Sequence, residues 1–239
     1  MSAYVIGIDG CRSGWLTCSL QLKSRQLQFR IFQKFDEILA THQRAKFIAV
    51  DIPIGLRDDG LQRLCDVEAR RLLAPKRSSC VFPAPSRKIL NATNYREACE
   101  KSLNWFGGKV SRQSYAIYPK IAEVDRLMTP KIQEKIFEVH PEICFWRINE
   151  GRALLTSKKT REGYEKRRTL LNSILRVELP DSLNWLSVLP HRPAGANRDD
   201  LLDSAVAAYV AELKYQGLRR VLPAFPEVDD KGIRMEMVY

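Results

Sequence analysis

The sequence predicts an α/β fold: a mixed five-stranded sheet, built from a three-strand meander, a helix and then parallel strands, and flanked by helices. Three observations predict it. Ala3 to Asp9 and Lys46 to Asp51 are compact, mostly apolar runs that each finish on a carboxylate next to a glycine or an Ile-Pro breaker, as strands buried on both faces do. Between them, Trp15 to Leu22 and Gln26 to Phe32 alternate apolar and polar residues, the pattern of antiparallel strands. A short helical stretch, Phe35 to Thr41, then separates the meander from the Asp51 strand, and a strand that returns through a helix tends to lie parallel to an earlier one.

Each element has a local reason. Gly10 and Arg12-Ser13-Gly14 turn the chain after the first strand, and Ser24-Arg25 turns it again. Phe47 to Val50 are four consecutive apolar residues, and Pro53 ends their regular pairing. With the fourth strand beside the first, Asp9 and Asp51 both finish at the carboxyl edge of neighbours ~4.8 Å apart. Open sheets place ligands at that edge, although Asp51 alone is also explained as a cap of the following turn.

Beyond Gly55, a mainly helical insertion over about 57–130 is expected within a single domain spanning 1–239. Its helices are predicted over Leu61 to Leu73, Tyr95 to Leu103 and Val110 to Met128, the last kinked or broken at Pro119. Pro75, Pro83 and Pro85 frame an irregular, apolar loop that should pack down. A fifth strand, Lys135 to His140, carries Glu138 and precedes a helix from Pro141 through Trp146. Glu162 to Leu175 is a basic amphipathic helix, and Pro180 to Pro193 is a loop with a short helix around Trp185. The last helix runs from Arg198 to about Tyr215 and stops at Gly217, and the alternation of Gly232 to Tyr239 suits a late edge strand. Asp199 is explained equally well as an N-terminal cap. Asp200 and Asp203 are three apart and share a face, and Asp203 lies beyond the first turn, where capping no longer accounts for it.

Composition narrows the function. Of the 239 residues, 45% are hydrophobic and 28% charged, as in an ordinary globule rather than a disordered or membrane-embedded chain. No apolar run approaches the ~20 residues that cross a bilayer, and the start runs into a strand without a basic leader, so a cytoplasmic location and no membrane partner are expected. Six scattered cysteines and three unclustered histidines give little support to zinc or to a disulfide framework. The balance of 39 basic against 28 acidic residues, +11, favours a polyanionic partner, nucleic acid first.

The carboxylates that stand out are Asp9, Asp51, Glu138, Asp200 and Asp203, three at strand ends and two at one helix start. Carboxylates without histidine or cysteine are the expected protein side of a Mg²⁺ or Mn²⁺ site. Two such ions ~3.5–4 Å apart can activate a water and stabilise the leaving oxygen in phosphodiester hydrolysis. Neither a serine triad nor a cysteine–histidine pair is convincing.

Strand order and acid placement reproduce the RNase H-like plan. The sequence moreover closely resembles an uncharacterised bacterial family of predicted nucleases with an RNase H-like fold, related to Holliday-junction resolvases. The resemblance spans nearly the whole chain and is carried by Gly7-Ile8-Asp9-Gly10-Cys11 with Gly14-Trp15, Asp51-Ile52-Pro53-Ile54-Gly55-Leu56, Cys65-Asp66 with Glu68-Ala69-Arg70-Arg71, and Arg77-Ser78-Ser79 with Val81-Phe82-Pro83-Ala84-Pro85. It continues in Pro119-Lys120-Ile121 with Glu123-Val124-Asp125, Glu138-Val139-His140-Pro141-Glu142 with Phe145-Trp146, Lys158-Lys159-Thr160 and Asp199-Asp200-Leu201-Leu202-Asp203.

It implies a metal-dependent nuclease of DNA or RNA, with Asp9, Asp51, Asp200 and Asp203 as ligands of Mg²⁺ or Mn²⁺ and Glu138 as a further catalytic acid that positions a water or His140. Arg12, Arg77, Ser78, Arg87, Lys120, Lys158 and Lys159 are expected to contact substrate phosphates, with pairing of Arg77 to Asp66 or Glu68 as the structural alternative. Trp15 and Trp146 are expected in the core, and a homodimer is compatible with the sequence. Two rivals remain: a non-catalytic RNase H-fold protein that binds nucleic acid or acts as a scaffold, and an actin-like nucleotide-binding phosphotransferase. The second needs another folded half, for which the chain has no room.

Overall fold

The computed structural model describes residues 2–189 and 195–239. The chain enters through β1 (Tyr4–Cys11), turns into β2 (Gly14–Gln21) and returns in β3 (Leu27–Phe32) before α1 (Phe35–Thr41) leads to β4 (Ile48–Val50). Helices α2 (Leu64–Leu72), α3 (Tyr95–Phe106), α4 (Arg112–Ala116), α5 (Tyr118–Leu127) and α6 (Pro130–Gln133) come next. Then follow β5 (Ile136–Glu138), α7 (Pro141–Ile148), α8 (Arg161–Leu175) and α9 (Arg198–Tyr215), and β6 (Val221–Leu222) pairs with β7 (Met237–Val238) in a separate ribbon.

The main sheet has the order β3-β2-β1-β4-β5. β1 and β3 each pair antiparallel with β2, whereas β4 lies parallel to both β1 and β5. This is the expected α/β, RNase H-like arrangement, with α1 making the crossover that brings β4 beside β1.

Some elements are shorter than the sequence suggests. The Val110 to Met128 pattern divides into α4 and α5, because Pro119 occupies the first turn of α5, where its missing N–H leaves no bond unmade. The fifth strand is confined to Ile136–Glu138, and the tail forms a strand over Met237–Val238, with an isolated antiparallel bridge between Val228 and Arg234 before it. Upstream of that strand, Oδ1 of Asp229 accepts from the amides of Lys231 and Ile233 and holds a turn in place of a strand. Trp185–Val188 forms a 3₁₀ turn; the rest of the Pro180 to Pro193 loop past Leu189, with His191, lies outside the described residues.

The chain divides into two compact units, one of residues 1–51, 135–220 and 238–239, the other of residues 52–134 and 221–237. In the first unit α9 lies against β1, β2 and β4. It is apolar almost all round, with Leu201, Leu202, Ala205, Val206, Ala208 and Val210 buried, as befits a helix inside the core rather than on its surface. Trp15 is fully buried beside Phe35, and Trp146 is half-buried against Tyr239. The second unit is organised by buried charge pairs. Asp66, fully buried, takes both Arg63 Nη2 at 2.6 Å and the amide of Ala84 at 3.0 Å, while Arg63 also donates to the carbonyls of Ile54 and Gly55. Such saturation is what makes a buried ion pair tolerable.

The six cysteines are free thiols, four of them buried. Among the described residues, no helix is long and apolar enough to cross a membrane.

Candidate active site

Close approach of α9 to β1 builds the site. A Cβ on Gly7 would lie 2.1 Å from both the Ala208 amide nitrogen and the Ser204 carbonyl oxygen, so only glycine lets the helix backbone rest on the strand. Asp9, two residues on, shares the face of Gly7 by strand alternation. Ile8 is in register with Val50, and the amide of Asp51 donates to the carbonyl of Ile8 at 2.9 Å, so Asp51 extends the parallel pairing past β4 and stands beside Asp9.

From the helix side, α9 opens with a capping box in which Asn197 and Asp200 exchange side-chain and backbone bonds, the amide of Asn197 donating to Oδ2 of Asp200 at 2.8 Å. Asp200 thus does the capping work that the sequence offered as one explanation of Asp199. Asp203, one turn on, is 1% exposed. Its Oδ2 accepts from Nζ of Lys158, and its Oδ1 is buried without a hydrogen-bond partner.

Burial, then mutual repulsion, raises these carboxyls. Asp9 is pushed well above the usual carboxylate range by burial and by Asp51, Asp203 and Asp200. Asp51 is pushed up to about 7 by burial and Asp203, and Asp200 to about 7 by burial against the opposing hydrogen bond from Asn197, with Asp199 and Asp203 adding to the rise. Asp203 is also raised, burial outweighing the pull of Lys158. Lys158 opposes the rise at all four. Burial draws its own ammonium down, but Asp203, Asp9 and Asp51 more than reverse this, so the lysine stays charged.

The structure therefore gathers Asp9, Asp51, Asp200 and Asp203. It does not gather Glu138 with them. Glu138 is in register with Val50, hence with Ile8, one residue before the row of Asp9 and Asp51, and alternation turns it to the other face of the sheet, where it is buried. Of the expected phosphate contacts in the first unit, Arg12 is exposed in the turn after β1 and Lys159 is exposed before α8, whereas Lys158 points into the carboxylates. Arg77, Ser78, Arg87 and Lys120 belong to the second unit. There Arg87 is committed to Asp125, Asp229 and Asp58.

Sequence reasoning missed Glu142 and Arg167. Nη2 of Arg167 donates to both oxygens of Glu142, at 2.7 and 3.0 Å, with both side chains buried, and the Glu142 charge adds to the field on Asp51 and Asp203. Arg167 Nη1 also donates to the Thr156 carbonyl at 3.0 Å, tying down the loop that carries Lys158.

Among the described residues, no group of three or more His, Cys, Asp or Glu side chains is so placed that it could hold a metal ion as it stands. The donors nevertheless fit a hard divalent cation. All four are carboxylates, their mutual repulsion is only partly offset by Lys158, and Oδ1 of Asp203 is a buried acceptor without a hydrogen-bond partner.

No curated protein and no solved structure matches the chain. A family model does match, over residues 7–228, and the chain belongs to that family, whose description reads Protein of unknown function (DUF429).

Proposed function

We propose that this member of the DUF429 family is a Mg²⁺- or Mn²⁺-dependent nuclease, hydrolysing phosphodiester bonds of a nucleic acid in the cytoplasm. One observation carries the reading: four aspartates from β1, the end of β4 and the start of α9 are held together against their own repulsion, with Oδ1 of Asp203 left unpartnered. A site without function has no physical reason to keep such a cluster, because each buried carboxylate costs desolvation energy that its neighbours increase.

Asp9, Asp51, Asp200 and Asp203 would hold the ion, which when bound supplies Lewis acidity toward a phosphoryl oxygen and a more acidic water. The chain's own residues do the rest. The capping bond from Asn197 fixes the direction of Asp200, and Lys158 fixes Asp203. Arg12 and Lys159, exposed in the same unit, supply charge for a polyanion, in keeping with the net charge of +11. In the reaction water forms the new P–O bond, the bond to the leaving oxygen breaks, and the water's proton ends on that oxygen or in solvent, so no further reactant is needed.

The test is incubation of labelled single-stranded, duplex, hybrid and four-way substrates with Mn²⁺, with wild type beside Asp51→Asn. Cleavage by wild type that falls by a hundredfold or more in the variant supports the proposal. Equal cleavage by both proteins would overturn it.

A second reading, a non-catalytic nucleic-acid-binding or scaffold protein of the same fold, draws on one observation: Lys158 already brings a positive charge to the cluster. It predicts binding of the same substrates without cleavage and no stabilisation by Mn²⁺.

A further inference from the structure

Lys158 is fixed more firmly than a screening lysine needs to be. Its Nζ bonds Oδ2 of Asp203 and stands 3.8 Å from Oδ2 of Asp199, and its charge acts on Asp9, Asp51 and Asp200. The backbone on either side of it is tied down. Arg167 holds the Thr156 carbonyl at 3.0 Å, the Thr160 hydroxyl donates to the Ser157 carbonyl at 2.8 Å, and Arg198 donates to the Lys159 carbonyl. Gly163, in the first turn of α8, completes the clamp, since a Cβ there would lie 1.9 Å from the Ser157 oxygen. An ammonium on so constrained a loop is placed, not merely attracted.

Its position limits what the carboxylates can hold. A carboxylate that bridges two metal ions gives one oxygen to each. Asp203 has Oδ2 engaged by Lys158, which leaves only the buried, unpartnered Oδ1 for a metal. One oxygen of Asp200 is likewise committed, to the Asn197 amide. We propose that Lys158 is a built-in cation standing at Oδ2 of Asp203 where a second metal would otherwise share that carboxylate, so that the site takes a single divalent ion. This rests on the metal-dependent reading above. Lys158 thus acts as a positioning residue, orienting Asp203 and excluding a second metal.

The test is a Mn²⁺ titration of the full chain, counting bound ions by the loss of the free-ion electron paramagnetic resonance signal, with thermal unfolding in parallel. Wild type should bind one ion. Lys158→Met, which keeps the apolar stem and loses the charge, should bind a second, and its unfolding temperature should be lower than that of wild type in chelator and rise further on adding Mn²⁺. Lys158→Arg should return the count to one. Two ions on wild type, or one on Lys158→Met, would overturn the proposal. Should Lys158→Met not fold, the wild-type count alone decides, one ion supporting the assignment and two refuting it. Two ions with cleavage intact would remove only the role of Lys158, whereas no bound ion in any variant would remove the metal-dependent reading as well.

Discussion

Replacing Gly7 by alanine tests the link between fold and site, because that residue sets how closely α9 approaches β1. The added methyl would meet the Ala208 nitrogen and the Ser204 oxygen at 2.1 Å, about 1.3 Å short of the 3.4 Å at which ordinary contact begins. Both obstacles are backbone within a helix, so neither can rotate away, and α9 must move off the strand as a body. Overpacking a tight core costs roughly 1–3 kcal/mol, and a backbone obstacle puts this change at the top of that range, about 3 kcal/mol. For a chain of this size that is a fall of roughly 6–12 °C in unfolding temperature. The same movement carries Asp200 and Asp203 away from Asp9 by ~1 Å, a displacement that in a catalytic constellation costs on the order of a hundredfold. The assay is thermal unfolding with and without Mn²⁺, beside Gly108→Ala, where an added Cβ meets nothing within 4 Å. A Gly7→Ala protein within about 1 kcal/mol of wild type, with Mn²⁺ affinity unchanged, would refute the reasoning.

Three further outcomes follow from the electrostatics. Asp51→Asn removes one of the charges that repel Asp9 and Asp203, so in chelator at pH 8 it should unfold about 2–4 °C above wild type, for roughly 1 kcal/mol of relief, while its stabilisation by Mn²⁺ disappears; a lower unfolding temperature with Mn²⁺ stabilisation intact contradicts the site. The raised carboxyls of Asp51 and Asp200 bind protons more tightly folded than unfolded, so their contribution to stability is full below about pH 4 and lost as pH rises through about 7. Melting curves of the metal-free protein should show that loss between about pH 4.5 and 7.5, and Mn²⁺ affinity should strengthen over the same window; stability that rises with pH there would be inconsistent with a repelling cluster. Arg167→Met removes both bonds that Nη2 gives to the buried Glu142 carboxylate, at a cost of about 3–5 kcal/mol in urea unfolding, most of it recovered when Glu142→Leu is added; a cost near zero would show that the pair is not buried as described.

Much of this architecture was legible in the chain. Apolar runs ending on Asp9 and Asp51, joined through a helix, are enough to place two strands side by side with both acids at one edge, because a right-handed crossover leaves few other arrangements. Asp203 was legible because it lies past the reach of N-terminal capping, though the capping box shows Asp200 serving both ends. Glu138 is set apart from the aspartates for a geometric reason: a strand side chain one residue out of row points to the opposite face. Lys158 was read with Lys159 as a pair for phosphate, since nothing local distinguishes an inward from an outward lysine. What separates them is Arg167 on the Thr156 carbonyl and the bare Cα of Gly163 beneath Ser157, contacts set by packing. A signal was present at Gly7, since a glycine inside a strand marks close backbone approach.

Anomalous diffraction from a crystal of the full chain soaked in Mn²⁺ bears most directly on whether the aspartates of β1, β4 and α9 share one cation. A peak bonded to Asp9 or Asp51 together with Oδ1 of Asp203 is the predicted result. Density at those carboxylates without any anomalous peak, at an ion concentration that gives peaks elsewhere on the molecule, would contradict it.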